Sequence, residues 1–267
     1  ACRRCPGRVR SRRMVPWDQD FEVYLTALDG APASYVVDLA ARDHAPVEDH
    51  PLLLTLRVPM RVARPDGLRH PDEAAALGAI EDRVVERLAA DHGAIYVGRM
   101  VHDGVTTMFH YLPAGHGRAV DELVAALGPL PDGYTIAASL DDDPQWKRAQ
   151  ALNPGPLAEQ TIWNRRLLRI FEERGDSLDI ARDVDHMAYF PTRDDAEQAT
   201  DDLRAAGFRV DDPDEVDDGE AWGLAFHRED ILADGRPDEF VAEIFAILQR
   251  HDGRYDGWGA EHRTRES

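Results

Sequence analysis

Hydrophobic and polar residues alternate over several short stretches in the first half of the chain, which is typical of strands with one buried face. Two turn dipeptides, Asp29-Gly30 and Asp103-Gly104, each separate a pair of such stretches and favour tight hairpins. The stretch 52–58 is apolar on both faces, which predicts an interior strand. The predicted strands of this half are 21–28, 34–39, 52–58, 94–101, 106–112 and 134–139.

Two other stretches of the first half repeat apolar residues every three or four positions, the period of an amphipathic helix. The longer one runs from Pro71 to Asp91, carries an apolar stripe from Leu77 to Leu88, and ends at Gly93. The shorter one covers 120–127. The resulting order βββαββαβ predicts an α+β fold, in which helices cover one face of an antiparallel sheet.

The second half of the chain follows a different order, βαββαβ, after a predicted helix at 157–174. Thr192 and Asp195 form a near capping box that opens the first helix of this order, and Gly207 closes it. Pro237 is placed for the first turn of the second helix. This order predicts a ferredoxin-like sandwich. Its predicted elements are 184–190, 192–207, 208–210, 221–228, 237–248 and 255–262.

A segment rich in Asp and Pro, from Asp141 to Pro156, separates the two halves and suits an exposed connection. We therefore predict a domain boundary near Asn153. One α+β domain then covers 14–152, and a ferredoxin-like domain covers 153–267.

The arm before the first domain, 1–13, holds six Arg and no acidic residue. It is either a disordered basic arm or sequence translated upstream of a start at Met14, and we favour the second interpretation. Its Cys2 and Cys5 supply two thiolates, whereas a structural zinc site needs four ligands. We therefore predict no metal and no cofactor.

The composition adds a strong acidic bias to this picture. The chain has 51 Asp plus Glu against 31 Lys plus Arg, a formal net charge of −20. The segment 175–267 alone has 26 acidic and 10 basic residues, a net charge of −16. Such a surface repels nucleic acid and attracts basic protein surfaces. We therefore predict that the partner is a basic protein and that nucleic acid is not bound directly.

No apolar run approaches the roughly 20 residues of a membrane helix, and the arm lacks the apolar core of a secretory signal. We therefore expect no membrane partner and a cytoplasmic location, which the absence of cysteine from both predicted domains also favours. All but one of the 31 basic residues are Arg, which is typical of GC-rich coding and favours a bacterial source.

Asp183-Val-Asp185-His186 is the first candidate site of the second half. Carboxylate and imidazole groups are metal ligands, but alternation on a strand puts both Asp side chains on one face and His186 on the other. A shared metal would need a bend in the strand. The pattern therefore favours a hydrogen-bonded or surface histidine over a metal site.

Tyr255-Asp256-Gly257-Trp258-Gly259 is the second candidate site, and two interpretations of it remain open. In the first, the motif is part of the core and a turn, with Trp258 packed across Trp222 on a neighbouring strand. In the second, Tyr255 and Trp258 form the rim of a partner interface, since aromatic residues are favoured anchors there.

The third candidate is an acidic loop at 211–220, for which we weigh three interpretations: a solvated loop, a docking patch for a basic protein, and a calcium loop. The calcium-loop motif places its acids between two helices, and the flanks here are predicted strands, so calcium is disfavoured. The seven acids are Asp211, Asp212, Asp214, Glu215, Asp217, Asp218 and Glu220.

The segment 164–261 resembles the RraB family, the regulator of ribonuclease E activity B. The resemblance is carried by four pieces of sequence: 167–176, 184–186, 207–216 and 255–259. It implies a ferredoxin-like, non-enzymatic protein that binds ribonuclease E and lowers its RNA-cleaving activity. The family-motif residues that it implies are Asp185, His186, Gly257 and Gly259.

The segment 17–146 resembles a bacterial family, the domain of unknown function 695, which often precedes an RraB-like domain. The matching pieces are Val37-Asp38-Leu39, Arg64-Pro-Asp-Gly67 and Asp143-Pro-Gln-Trp146. We can name no chemistry for these residues, so the resemblance adds a fold expectation and no site.

The leading hypothesis is a regulatory binding protein that inhibits or modulates a ribonuclease E-type enzyme through its acidic surface. The alternative is an acidic adaptor or immunity-type protein with a basic, non-nuclease partner. An enzyme ranks third, because the sequence lacks a Gly-x-Ser-x-Gly motif, a Walker loop and a paired zinc motif. The predicted partner-binding residues are the seven acids of 211–220 together with Tyr255, Asp256 and Trp258.

Overall fold

The computed structural model of the protein describes residues 15–62, 64–115, 119–216 and 221–265. The predicted arm at 1–13, with both cysteines, lies outside the described residues. The chain divides into two compact units between Asn153 and Pro154. In the described part of the chain, no helix combines the length and apolar character needed to cross a bilayer.

The first unit is built on an antiparallel sheet of six strands. These are β1 Phe21–Leu28, β2 Ala31–Asp38, β3 Leu52–Pro59, β4 Ile95–His102, β5 Val105–Leu112 and β6 Ala137–Asp142. The spatial order is β1-β2-β4-β5-β3-β6, so β3 is an interior strand, as predicted. Both predicted Asp-Gly turns are confirmed, since Asp29 and Gly30, like Asp103 and Gly104, have the positive φ angles of tight hairpins.

One face of this sheet packs against two helices of the unit, as the predicted α+β class requires. The helices of the unit are α1 Ala41–His44, α2 Pro71–His92, α3 Val120–Ala126 and α4 Lys147–Ala151. The predicted stripe of α2, from Leu77 to Leu88, is buried against Leu54 and Leu56 of β3, and Leu123 of α3 joins the same core. Gly93 ends α2 in a left-handed conformation, as predicted.

The opposite face of the sheet carries an aromatic cluster that the sequence pattern did not reveal. The Trp146 ring is fully buried, stacks on Tyr111 with ring centroids 3.9 Å apart, and donates from Nε1 to the carbonyl oxygen of His50 at 2.8 Å. Trp17 contacts Trp146 edge to face and stacks on His44 of α1. The prediction of an exposed connection at 141–156 is therefore wrong around Trp146 and α4.

The last strand of the first unit also begins later than predicted. Residues 134–139 were expected to form it, but β6 covers Ala137–Asp142 and pairs with β3 as far as Leu52 opposite Asp142. Because β6 is an edge strand, acidic side chains remain exposed there while the backbone pairs. Backbone pairing therefore overrides the low strand propensity of Asp.

The second unit has the predicted ferredoxin-like arrangement. Its helices are α5 Pro156–Glu173, α6 Arg193–Ala205 and α7 Arg236–Leu248, and its strands are β7 Arg182–Phe190, β8 Arg209–Val210, β9 Asp214–Val216, β10 Ala221–Asp230 and β11 Arg254–Ala260. The sheet order is β11-β7-β10-β8, with all neighbours antiparallel. The short strand β9 also pairs antiparallel with β10, at residues 221–223, whereas β8 pairs with residues 226–227. The first and third strands of the βαββαβ order are thus central, as a split βαβ arrangement requires.

The described helices of this unit pack on one face of the second sheet. Val184, Ala188 and Phe190 of β7 point into a core that contains Leu203 of α6 and Phe240 of α7. The predicted helix cap is confirmed, because Thr192 Oγ1 accepts a hydrogen bond from the Asp195 backbone N–H.

A buried ion pair ties β7 to the segments before and after the sheet. The side chains of Arg182 and Asp176 are both fully buried, with Nη1 and Oδ2 2.8 Å apart. Arg182 also donates to the carbonyl oxygens of Ser177 and Glu261, and Asp176 accepts from the Arg263 backbone N–H. Burial alone would raise the pKa of Asp176, but the hydrogen bonds from Arg182 and Arg263 outweigh it and lower this pKa.

We expect Asp176→Asn to lower the free energy of unfolding by about 3–5 kcal/mol, because the Arg182 charge would stay buried without its counter-ion. The matched control is Asp179→Asn, which removes an exposed partner of Arg265 and should cost less than about 1 kcal/mol. Urea unfolding of the full chain measures both values. Equal losses in the two variants would contradict the assigned role of the pair.

Candidate protein-binding surface

The face of the second sheet opposite the helices of its own unit is the first candidate surface, and we call it the open face. On β7 it presents Asp183, Asp185, Met187 and Tyr189, which alternate with buried residues. Glu229 lies opposite Asp183 in the register of β10. Both of these acids and Asp185 are exposed, and Arg209 of β8 forms an ion pair with Asp183, so this end of the open face keeps a net negative charge.

The middle of the open face is shallow because its residues are small. Met187 has Ala225 on one side and Gly257 on the other, and Gly259 lies opposite Asp185. A depression of about 510 Å³ covers this region. Such a surface offers contact area and charge, and it brings together no residues that would form a deep catalytic pocket.

The four described acids of 211–220 lie along one edge of the same sheet, and we call them the acidic edge. They are Asp211, Asp212, Asp214 and Glu215, all of them exposed. The prediction of one continuous loop is wrong here, because Asp214–Val216 forms β9 and pairs with 221–223 of β10. An edge strand tolerates acids since its side chains remain in water, and the charges discourage pairing with other chains. Asp217, Asp218 and Glu220 lie outside the described residues.

The histidine of the family motif is a core residue. His186 is 3% exposed, and its Nδ1 shares a hydrogen bond with the Tyr255 hydroxyl at 2.8 Å. The rings of Phe208, Phe226 and Phe240 surround it, with centroids 5.2 to 5.5 Å away. Burial lowers the pKa of His186 to about 3, and the positive charge of Arg228 acts in the same direction.

Asp183 and Asp185 therefore lie on the opposite face from His186, as alternation predicted. Over the described part of the chain, no group of three or more His, Cys, Asp or Glu side chains is arranged to hold a metal ion. His186 is therefore a core residue with a neutral ring, whose Nδ1 is bonded to Tyr255 and whose Nε2 is buried with no hydrogen-bond partner among the described residues.

A one-residue bulge in β11 decides where the aromatic residues of the second motif point. The register with β7 shifts between Tyr255 and Gly257, which leaves Asp256 as the extra residue. Tyr255 then lies opposite Ala188 and Trp258 opposite His186, so both aromatic side chains lie on the helix-covered face. Strict alternation would have placed them on opposite faces, because they are three residues apart.

Tyr255 cannot form the rim of an interface, because only 5% of it is exposed. This is a correction to one of the two interpretations of the motif, and its physical reason is the buried hydrogen bond to His186. Asp256 and Gly259 are exposed, and Gly257 is half-buried. The motif is therefore mainly a packed part of the sheet, in which Asp256 and Gly259 are the exposed residues.

Trp258 is half-buried. The expectation that it packs across Trp222 is wrong. The Trp258 ring stacks on Phe171 of α5 at a centroid distance of 6.4 Å, and its Nε1 donates to the side-chain oxygen of Asn164 at 2.7 Å. The two tryptophans are on β11 and β10, which are separated by β7. The partners of Trp258 therefore come from α5 and from Phe240 of α7, whose ring meets it edge to face at 5.5 Å.

Sequence reasoning missed a second exposed surface on α5. Trp163 is 50% exposed and Ile170 43% exposed. The spacing of Trp163, Arg166 and Ile170 by three and four residues puts them on one side of the helix. That spacing was the available signal, but periodicity does not tell which stripe of a helix is buried.

The predicted partner-binding residues do not form one patch. The acidic edge borders β10, whereas Asp256 and Trp258 are on β11 at the other edge of the sheet. Three strand spacings separate the edges, roughly 14 Å. A single partner would reach both groups only by crossing the open face.

The two halves of the chain match two protein families. Residues 161–260 match the family described as RraB, regulator of ribonuclease activity B. Residues 19–150 match the family of unknown function DUF695. Both predicted resemblances are thereby confirmed, in the predicted order. The second unit is thus similar to regulators of ribonuclease activity.

No curated protein matches the chain. One solved structure, described as the crystal structure of an unknown protein from Galdieria sulphuraria, is 10% identical and aligns with 79% of this chain and 98% of its own. Its TM-score is 0.22, so this likeness supports no inference about fold or function.

We expect Gly257→Ala to destabilise the protein by about 1–3 kcal/mol, because the φ angle of Gly257 is +145° and only glycine adopts it without strain. Gly259→Ala is the matched control. Its added Cβ meets no atom within 4 Å and its backbone is ordinary, so the change should stay within about 0.5 kcal/mol. Urea unfolding followed by circular dichroism compares the variants, and equal losses would contradict the role of the bulge.

Acidification should destabilise the second unit through His186. The pKa of His186 is about 3 in the folded protein and about 6.5 in the unfolded chain. Between these values the unfolded chain binds more protons, so the free energy of unfolding decreases as the pH is lowered. At pH 5 the loss from this group is about 2 kcal/mol. His186→Gln keeps an acceptor for Tyr255 and does not titrate, so its unfolding free energy should fall less between pH 7 and pH 5. An identical fall in both proteins would exclude His186 as the cause.

Proposed function

We propose that the protein is a non-enzymatic regulator that binds a ribonuclease E-type endoribonuclease and lowers its cleavage of RNA. The observation that carries this proposal is the match of 161–260 to the family of regulators of ribonuclease activity. The charge of the same region supports it, since 175–267 has a net charge of −16. The partner surface is then a basic one, and nucleic acid is not bound directly.

The acidic edge and the acidic end of the open face are the surfaces that suit such a partner. A ribonuclease holds RNA through Lys and Arg side chains that neutralise phosphates. Carboxylates that occupy the same cations would compete with RNA without any chemical step. In this proposal Asp211, Asp212, Asp214 and Glu215 are the first contacts, and Asp183, Asp185 and Glu229 extend the charged surface across the sheet.

Exposed charges act mainly on the rate of encounter and on its salt dependence. We therefore expect affinity to fall as ionic strength rises, because exposed charge pairs are screened beyond about 10 Å in 0.1 M salt. Contacts of this kind inhibit reversibly and leave the nuclease intact.

The deciding experiment adds the purified full chain to the ribonuclease E-type enzyme of the same organism and follows cleavage of a fluorogenic RNA. We expect a saturable fall in the cleavage rate. Replacing the four acids of the acidic edge by Asn or Gln should weaken inhibition by about tenfold or more, equivalent to 1.4 kcal/mol of binding.

The matched control removes four exposed acids from helices: Glu172, Glu173, Asp194 and Asp201. It changes the net charge by the same amount, so it separates a located patch from a general charge effect. Equal weakening by both variants would reject the acidic edge as the contact. Unchanged cleavage at saturating protein would reject the inhibitor role, and capture of an unrelated basic protein from the host would then support an adaptor.

A further inference from the structure

One side of α5 keeps large apolar side chains exposed. Trp163 is 50% exposed and Ile170 43% exposed, whereas Leu167 and Phe171 of the same helix pack against the core. We call the side that carries Trp163 and Ile170 the α5 stripe. Exposed aromatic and aliphatic groups that lie together on a surface are typical of protein-interaction sites.

A groove of about 440 Å³ lies beside the α5 stripe, between α5 and β11, and Trp258 forms part of its wall. Asn164 holds this wall in place. It is 1% exposed, accepts from Trp258 Nε1 at 2.7 Å and donates to Asp238 Oδ1 at 2.7 Å. Because these side chains are ordered before any partner arrives, contact with the wall costs little further ordering.

The charges of the α5 stripe are placed on either side of Trp163. Glu159 lies one turn before Trp163 in the helix, and Arg166 lies one turn after it. The Arg166 guanidinium is 5.0 Å from the centroid of the Trp163 ring. Along the helix the stripe therefore runs from an acid through an aromatic ring to a base, and then to Ile170.

This order is complementary to itself when two copies of α5 pack antiparallel. A two-fold axis at Trp163 brings the two Trp163 rings together. Arg166 and Glu159 are three and four residues from that axis, so each arginine lies beside the glutamate of the other copy. Ile170 then lies near Pro156, the first residue of the helix. Each contact occurs twice, as in the isologous interface of a dimer.

Charge selects this register over the neighbouring one. An axis one turn further along, at Arg166, would place the two Arg166 side chains against each other. It would also place Glu159 of one copy against Glu173 of the other. Because contacts between like charges are unfavourable, the α5 stripe fits itself best with the axis at Trp163.

The acidity of the second unit does not oppose such a contact. Its acids are densest at the acidic edge, whereas α5 is neutral, with three acidic and three basic residues in 156–173. The acidic edge lies across the sheet from β11, a distance of roughly 14 Å. Physiological salt screens charges beyond about 8 Å, so repulsion between the acidic edges of two copies is weak at α5.

We propose that the α5 stripe binds a second copy of the chain, with the two α5 helices antiparallel about a two-fold axis at Trp163 and each Trp163 ring beside the groove of the other copy. This self-association goes beyond the regulation proposed above and requires no nuclease. One helix per copy buries less than the roughly 1,600 Å² of a standard interface, so we expect a weak dimer with a Kd on the order of 10 μM.

The first experiment is sedimentation velocity of the full chain from about 1 to about 200 μM, a range that spans the expected Kd. Trp163→Ala should weaken the dimer by about tenfold or more, because it removes the residue at the axis. Leu157→Ala is the matched control. It removes another exposed apolar residue of α5, one that does not line the groove, and should change the Kd by less than about twofold. Circular dichroism checks that both variants are folded.

A charge exchange tests the register. Arg166→Glu and Glu159→Arg, each alone, place like charges across the axis and should weaken the dimer by about fivefold or more. The double variant restores both pairs with their signs reversed, so its Kd should return to within about twofold of the original. These residues are outside the core, so this test still decides the matter if Trp163→Ala does not fold.

Three results would overturn the proposal. The first is a single monomeric species up to about 200 μM, and the second is a dimer that Trp163→Ala weakens no more than Leu157→Ala does. The third is a double variant that dimerises as poorly as the two single ones. Because no nuclease is present, each of these results leaves the proposed regulation of a ribonuclease untouched.

Discussion

The bulge at Asp256 is the constraint on which the surface of the second unit depends. It places both Tyr255 and Trp258 under the helices, where one bonds to His186 and the other to Asn164. On the open face, β11 then presents Gly257 and Gly259, which have no side chains, so this face is shallow there. The outer edge of β11 is held beside α5 by the Trp258–Asn164 bond. The shallow middle of the open face and the position of the β11 edge beside α5 thus both follow from one extra residue in a strand.

The two edges of this sheet are protected in different ways. At one edge, exposed acids on β9 and in the segment between β8 and β9 oppose pairing with another strand by their charge. At the other edge, α5 lies alongside β11 and leaves a groove with an apolar rim. A charged edge favours fast, salt-dependent encounter, and an apolar groove favours slow dissociation.

Most helices and strands were predictable, because they follow from short-range patterns. The stripe of α2, the Asp-Gly hairpins and the Thr192 cap depend on residues that are close together in the sequence. The errors occur where distant pairing or packing decides. β6 and β9 form because neighbouring strands extend their ladders into acidic sequence, and Trp146 is buried because Tyr111 offers a ring to stack on. For the site, the four described acids lie on an exposed segment, as expected, whereas Tyr255, a candidate for the rim of an interface, is buried.

The sequence by itself determined most of the order of elements, the acidic character of the second unit and its resemblance to ribonuclease regulators, because composition, periodicity and short motifs are local properties. It also placed Asp183 and Asp185 on the opposite face of the sheet from His186, since successive side chains of an unbroken strand point to alternate faces. Only the tertiary structure decided which aromatic residues are buried, which stripe of α5 is exposed and how far the acids lie from β11. A bulge, a helix that packs beside an edge strand and the order of strands in a sheet arise from contacts between residues far apart in the chain, and local patterns do not encode them.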